Sequence, residues 1–338
     1  MNLNIVNPYI FDRQETWLIT GVAGFIGSNL LEFLLQNDQK VIGLDNFSTG
    51  RQDNLDSVRA IVGAQQCANF TLIEGDIRDF NLCVRACADV DYVLHHAALV
   101  SVPISVEEPF TANSINIDGF LNMLTAAKDA KVNRFVYASS SAVYGNDEYL
   151  PKVEDCIDKP LSPYALTKYV NELYADLFTR EYGTATVGLR YFNIFGPRQD
   201  PNGAYAAVIP KWIASMCQGE PVYINGDGES TRDFCYIGNV VQANILAATT
   251  GNPAAIGQVF NIGSGMQMSL NQLFGYLKIN LQDRFQHLGE LKPSYRDFRA
   301  GDVRHSVADI SKAQRLLGFN PCPMDPGFAV TSEWYLKQ

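Results

Sequence analysis

The chain has 338 residues, 47% hydrophobic and 18% charged, enough for one large α/β body or two lobes around a shared core. With 36 acidic against 26 basic residues the net charge is −10, which argues against nucleic acid or an anionic membrane surface as partner. The opening MNLNIVNPYIFDRQETW lacks the basic and apolar regions of a signal peptide, and no apolar run reaches spanning length. Seven scattered cysteines form no C-x-x-C pair, so free thiols in a reducing cytoplasm are expected, with no disulfide framework and no metal site.

In chain order, TWLIT (16–20), KVIGLD (40–45), FTLIEGD (70–76), VDYVLHHAA (90–98), RFVYASS (134–140) and TATVGLRYF (184–192) read as buried parallel strands. Between them SNLLEFLLQ, NLCVRACAD, SINIDGFLNMLTAAKDA and ALTKYVNELYADLFTREY carry helical periodicity. Strand and helix alternating in this way predict an α/β fold with a doubly wound, Rossmann-like parallel sheet. After residue 192 the rhythm breaks into Gly-, Pro-, Asn- and Asp-rich loops. The expected division is a dinucleotide domain of residues 1–192, with about 234–263 packing back on it. A smaller mixed α/β lobe, 193–233 and 264–338, would cover the carboxyl ends of the strands, where ligands sit.

LITGVAGFIGSNLLEFLL places Gly21, Gly24 and Gly27 between the first strand and a helix. Glycines there allow a tight turn and a close approach of the backbone to a pyrophosphate at the helix N-terminus. Asp45 ends the second strand, placed to accept hydrogen bonds from ribose hydroxyls and to repel a 2′-phosphate, so NAD is expected over NADP despite Arg51 nearby. Asp76, ending the third predicted strand, is placed to contact the adenine. His95 and His96 read as packing or hydrogen bonding beside the cofactor.

SPYALTKYV puts Tyr164 and Lys168 four residues apart, on one face of a helix that starts at Ser162-Pro163. An unperturbed tyrosine is a poor base at neutral pH, with a pKa near 10. A close ammonium and a positively charged nicotinamide would each favour its phenolate. Ser139, Ser140 and Ser141 end the fifth strand, and a serine hydroxyl there could relay a proton.

Together TGVAGFIG, LDNFSTG, GDI, HHAA, SSSAVYG, SPYALTK and LRYFNIFGPRQDP resemble the extended short-chain dehydrogenase/reductase family, more narrowly its nucleotide-sugar epimerases, from about residue 16 to 320. The resemblance implies catalysis by Ser140, Tyr164 and Lys168, with Ser141 beside them as a sugar contact. It extends the NAD-binding set to Phe25, Ile26, Asn46, Ser48, Thr49, Gly50, Ile77, Ala97, Ala98, Asn116 and Tyr191, besides Tyr164 and Lys168. It also implies a UDP-sugar site comprising Ser101, Ser140, Asn193, Ala207, Val208, Tyr223, Asn225, Arg232, Arg299 and Asp302.

Dehydratases of the family carry an Asp-Glu pair after the catalytic serine or threonine. Here Ser141 and Ala142 stand there, so elimination lacks its acid and base. What remains is oxidation at carbon 4, rotation of the 4-keto sugar and return of the hydride. Ser306, where galactose-type epimerases have a tyrosine, leaves room for a 2-acetamido group. The resemblance therefore points to UDP-N-acetylglucosamine 4-epimerases. UDP-uronate epimerases or decarboxylases and a non-catalytic NAD-binding scaffold are the alternatives. Val100 and Ile104 stand where close relatives have Gly and Arg, and a homodimer through helices at about 111–130 and 164–182 is implied.

Overall fold

The structure, a computed structural model, describes residues 11–201, 207–298 and 303–337. Seven parallel strands form the central sheet: β1 (Thr16–Thr20), β2 (Lys40–Asp45), β3 (Phe70–Glu74), β4 (Tyr92–His95), β5 (Arg134–Ser140), β6 (Thr186–Tyr191) and, after four short strands outside this sheet, β11 (Gln258–Ile262). Their spatial order is β11-β6-β5-β4-β1-β2-β3. The order reverses between β1 and β4, which opens the crevice where such sheets bind ligands. The doubly wound sheet expected from the alternation is present.

Continuous apolar runs made these strands, since both sheet faces are covered. Every residue of β6 is buried, as are four of the five in β1. On one face α1 (Phe25–Gln36) and α2 (Gln52–Cys67) pack together. On the other, α3 (Phe80–Ala86) meets α6 (Gly119–Asp129). The loop after β4 carries two short helices, α4 (Val102–Glu107) and α5 (Pro109–Asn113). Then α7 (Pro163–Tyr182) follows β5.

The helix expected at about 111–130 is present, and it carries a π-helical turn, Ser114–Asp118, between α5 and α6. The wide turn brings Asn116 inside, 1% exposed, where its amide bonds both backbone groups of Leu99. The third strand also stops at Glu74, two residues before Asp76.

Beyond β6, the pairs β7 (Asn193–Phe195) with β10 (Phe234–Tyr236) and β8 (Tyr223–Asn225) with Ser294–Arg296 form small two-stranded sheets. A third pair joins β9 (Thr231–Arg232) to Met268–Ser269. Helix α8 (Val208–Gln218) lies between β7 and β8 in sequence. Helix α9 (Ile237–Thr249) returns to pack on α1, β4 and β5, and leads into β11 at the sheet edge. Buried Asp233 ties this region together, accepting from Ser264 N–H and hydroxyl and from the N–H groups of Gly265 and Ala308.

Candidate active site

The turn between β1 and α1 fits a dinucleotide because it has no room for side chains. Gly21 has φ +71°, and a Cβ at Gly27 would lie 2.1 Å from Gly21 O. No side chain caps the first turn of α1, so its N–H groups face the cleft as donors for an anion. Asp45 is already engaged: it accepts Ala23 N–H at 2.8 Å and Phe47 N–H at 2.9 Å, and so shapes this turn as well as facing the cleft. Asp76 is gripped by both arms of Arg78 and by Asn46 at 2.8 Å, which drives its carboxyl down to about 2. Arg51 pairs with Asp53 at 2.9 Å and reaches Asp200 at 3.7 Å.

At the other end of the cleft, α7 begins where the sequence signals placed it. Ser162 accepts Ala165 N–H at 3.1 Å, and Pro163 fills the first helical position. Lys168, 3% exposed, donates to Ala138 O of β5 at 2.9 Å, and burial lowers its pKa to about 8. Burial raises the Tyr164 phenol above its usual value, while the adjacent Ser140 side chain pulls it partway back. The Ser140 hydroxyl also accepts Ala142 N–H at 3.2 Å.

The neighbouring Ser139 has a different task. It donates to Glu172 at 2.5 Å, and Glu172 of α7 holds Arg190 of β6 through two bonds of 2.8 and 2.7 Å. Arg190 continues to Tyr144 Oη at 3.0 Å and to Glu154 O at 2.8 Å. This buried network fixes α7 on the sheet and leaves Ser140 as the strand-end hydroxyl facing the cleft.

Both histidines are neutral, His95 buried and His96 half-buried. His95 meets Thr20 Oγ1 at 2.9 Å, and burial lowers its pKa well below the usual value. His96 meets Asn244 Oδ1 at 3.2 Å and stacks on Tyr191, its pKa lowered to about 3 by burial. Among the described residues no cluster of His, Cys, Asp and Glu could hold a metal, and none of the helices is long and apolar enough to cross a membrane.

A cleft of about 1000 Å³ joins the two ends. Of the residues expected at the cofactor, Gly21, Gly24, Phe25, Ile26, Gly27, Asp45, Asn46, Ser48, Thr49, Gly50, Asp76, Ile77, Ala97, Ala98, Tyr164, Lys168 and Tyr191 line it. Ser140, Asn193, Ala207, Val208, Tyr223, Asn225 and Arg232 continue the wall. Asn116 does not reach it and instead braces Leu99 and Thr167. Ser101 caps α4, Ser141 opens a 3-10 turn, and Ser306 bonds Thr231 O through its N–H; none of the three is on the wall. Arg299 and Asp302 lie outside the described residues.

The wall also contains residues that sequence reasoning did not single out: Phe192, Arg198, Gln199 and Trp212. Arg198 pairs with buried Glu32 of α1 at 2.6 Å, anchoring the loop after β7 to the nucleotide-side helix. Its signal was available in GPRQD, where an arginine follows a Gly-Pro turn.

The profile of the NAD dependent epimerase/dehydratase family matches residues 17–263. A UDP-N-acetylglucosamine 4-epimerase from Methanobrevibacter ruminantium, solved with UDP-N-acetylmuramic acid, is 38% identical, with 96% of this chain and 99% of that one covered and a TM-score of 0.88. A UDP-glucose 4-epimerase from Thermotoga maritima, solved with UDP-glucose, is also 38% identical, with coverages of 95% and 99% and a TM-score of 0.85. A UDP-glucuronate 4-epimerase of Thermodesulfobacterium geofontis is 33% identical, covering 94% of this chain and 95% of its own length. With its glycine turn, its half-buried Tyr164 and buried Lys168 and these matches over nearly the whole length, the chain belongs to the NAD dependent epimerase/dehydratase family.

Proposed function

We propose that the protein is a UDP-sugar 4-epimerase that interconverts UDP-N-acetylglucosamine and UDP-N-acetylgalactosamine. One observation supports the 4-epimerase reading: Ser140, its neighbour Tyr164 and Lys168 line one cleft, which runs on to Tyr223, Asn225 and Arg232. Gly21 to Gly27, Asp45 and Asp76 would hold the dinucleotide, with its pyrophosphate at the start of α1. NAD, when bound, supplies a hydride acceptor whose positive ring favours the Tyr164 phenolate.

Tyr164 then takes the proton of the carbon-4 hydroxyl and later returns it, with Ser140 orienting or relaying that proton. Lys168, with a pKa near 8, stays largely protonated at neutral pH, one turn along α7 from Tyr164. Arg232 and Asn193 would grip the diphosphate, with Ala207, Val208 and Tyr223 at the uridine. Arg299 and Asp302, expected in the same set, lie outside the described residues. Neither Ser141 nor Ala142 can act as the acid or base of an elimination, so dehydration has no machinery here.

The neutral sugar is preferred over a uronate for a reason on the cleft wall. Leu99, Val100 and Ile104 line it, and the whole stretch Leu99–Ile104 contains no charged residue. A carboxylate placed there would gain no charged partner from this stretch. Initial rates with UDP-N-acetylglucosamine, UDP-glucose and UDP-glucuronate test this. The acetamido sugar is expected to show the highest kcat/KM and the uronate the lowest. Uronate turnover exceeding that of the acetamido sugar would reverse the assignment.

A further inference from the structure

The loop leading from β4 along the cleft is fastened to α7 at two buried points. The first is Asn116, which holds both backbone groups of Leu99 and donates to Thr167 Oγ1 at 3.0 Å. The second is Ser105, 0% exposed, whose hydroxyl accepts Tyr164 N–H at 3.1 Å and donates to Val102 O at 2.6 Å. Between the two points run Val100 and Ile104, 64% and 36% exposed, both on the cleft wall.

The start of a helix leaves its first N–H groups without partners inside the helix. In α7, Pro163 has no N–H, Ala165 N–H goes to Ser162 Oγ, and Leu166 N–H goes to Ser162 O at 3.0 Å. The Tyr164 N–H is served from outside, by Ser105 across 59 residues of sequence. The backbone from which the phenol extends is therefore held by the same segment that lines the cleft.

We propose that Ser105 is a positioning residue for Tyr164: its buried hydroxyl fixes the first turn of α7 so that the phenol meets Ser140 and the reacting hydroxyl. The proposal rests on the reading of Tyr164 as the base. Without that hydroxyl the part-buried Tyr164 N–H loses its acceptor, and the turn shifts to find another. A shift of about 1 Å at a reacting group costs roughly 10²-fold in rate.

The test compares Ser105→Thr with Ser105→Val, two side chains of equal shape that differ by the hydroxyl, so both impose the same steric load. The threonine variant is expected to exceed the valine variant in kcat by about 10- to 100-fold. Their KM for UDP-N-acetylglucosamine and their NAD content per chain should agree within about twofold, as the proposal concerns only placement of the phenol. Equal kcat in the two variants overturns the proposal, as does a difference confined to KM or NAD content. Ser105→Ala, which adds no bulk, gives the same reading if the β-branched pair does not fold: its kcat should fall, and an unchanged kcat refutes the role. Turnover surviving in Tyr164→Phe would remove the base reading and this proposal with it. An inactive Tyr164→Phe together with equal threonine and valine variants would remove the proposal alone.

Discussion

Tyr164→Phe is expected to lower kcat by about 10²- to 10⁴-fold, the range over which a positioned acid or base contributes. The substitution removes one oxygen and keeps the ring, so NAD content and UDP-sugar binding should stay near wild type. The reason is electrostatic. Burial makes the Tyr164 phenol a weaker acid, and the Ser140 side chain counters part of that. Lys168 is itself depressed by burial to about 8, because a dry site disfavours its charge too. Phenolate and ammonium are each costly in such a place, and a positively charged nicotinamide would favour the phenolate. Phenylalanine leaves the cation in position with nothing to accept the substrate proton. Initial rates and the NAD released on denaturation check this, and turnover within a few-fold of wild type would make the base assignment wrong.

Glu172→Leu should cost about 3–5 kcal/mol of stability, the range for breaking one side of a buried ion pair. Glu172 and Arg190 have side chains 5% and 3% exposed, and they meet at 2.7 Å. The leucine fills the space but leaves the Arg190 guanidinium with only Tyr144 Oη and Glu154 O as partners. Ser139 loses its acceptor in the same step. Because Glu172 is on α7 and Arg190 on β6, the lost network is also the one that seats the helix carrying Tyr164 and Lys168 on the sheet. Denaturant unfolding at neutral pH measures the change. A loss below about 1 kcal/mol would mean that the pair contributes as little as a surface bridge.

The strands were legible because short β-branched runs stood between turn residues: 16–20, 40–45 and 134–140 begin and end as their sequences indicate. The start of α7 was legible for a different reason, since Ser162-Pro163 is a capping signal that acts within one turn. The π-helical turn at Ser114–Asp118 was not, because nothing in SINID interrupts the helical period; the turn follows from tertiary contacts. Asn116 is drawn inward to Leu99, and Gly119 packs so closely on Ile77 that a Cβ would lie 2.6 Å from its Cδ1. Ser105 was invisible in sequence too, because its partner Tyr164 is 59 residues away. The same holds for Glu172 and Arg190, which only the packing of α7 on β6 brings together. Asp45 and Asp76 were found by position, but the backbone of Ala23 and Phe47 and the guanidinium of Arg78 that hold them were not.

The central claim is that carbon 4 is oxidised and reduced within one site, with Tyr164 moving only the hydroxyl proton. Incubating the NAD-loaded protein with UDP-N-acetylglucosamine in deuterium oxide, then recording the proton spectrum of the sugar, tests it most directly. The account predicts conversion to the galacto epimer with no deuterium on carbon 4, because the hydrogen removed from that carbon never enters solvent. Deuterium at carbon 4 of the product, or no galacto epimer at all, would contradict it.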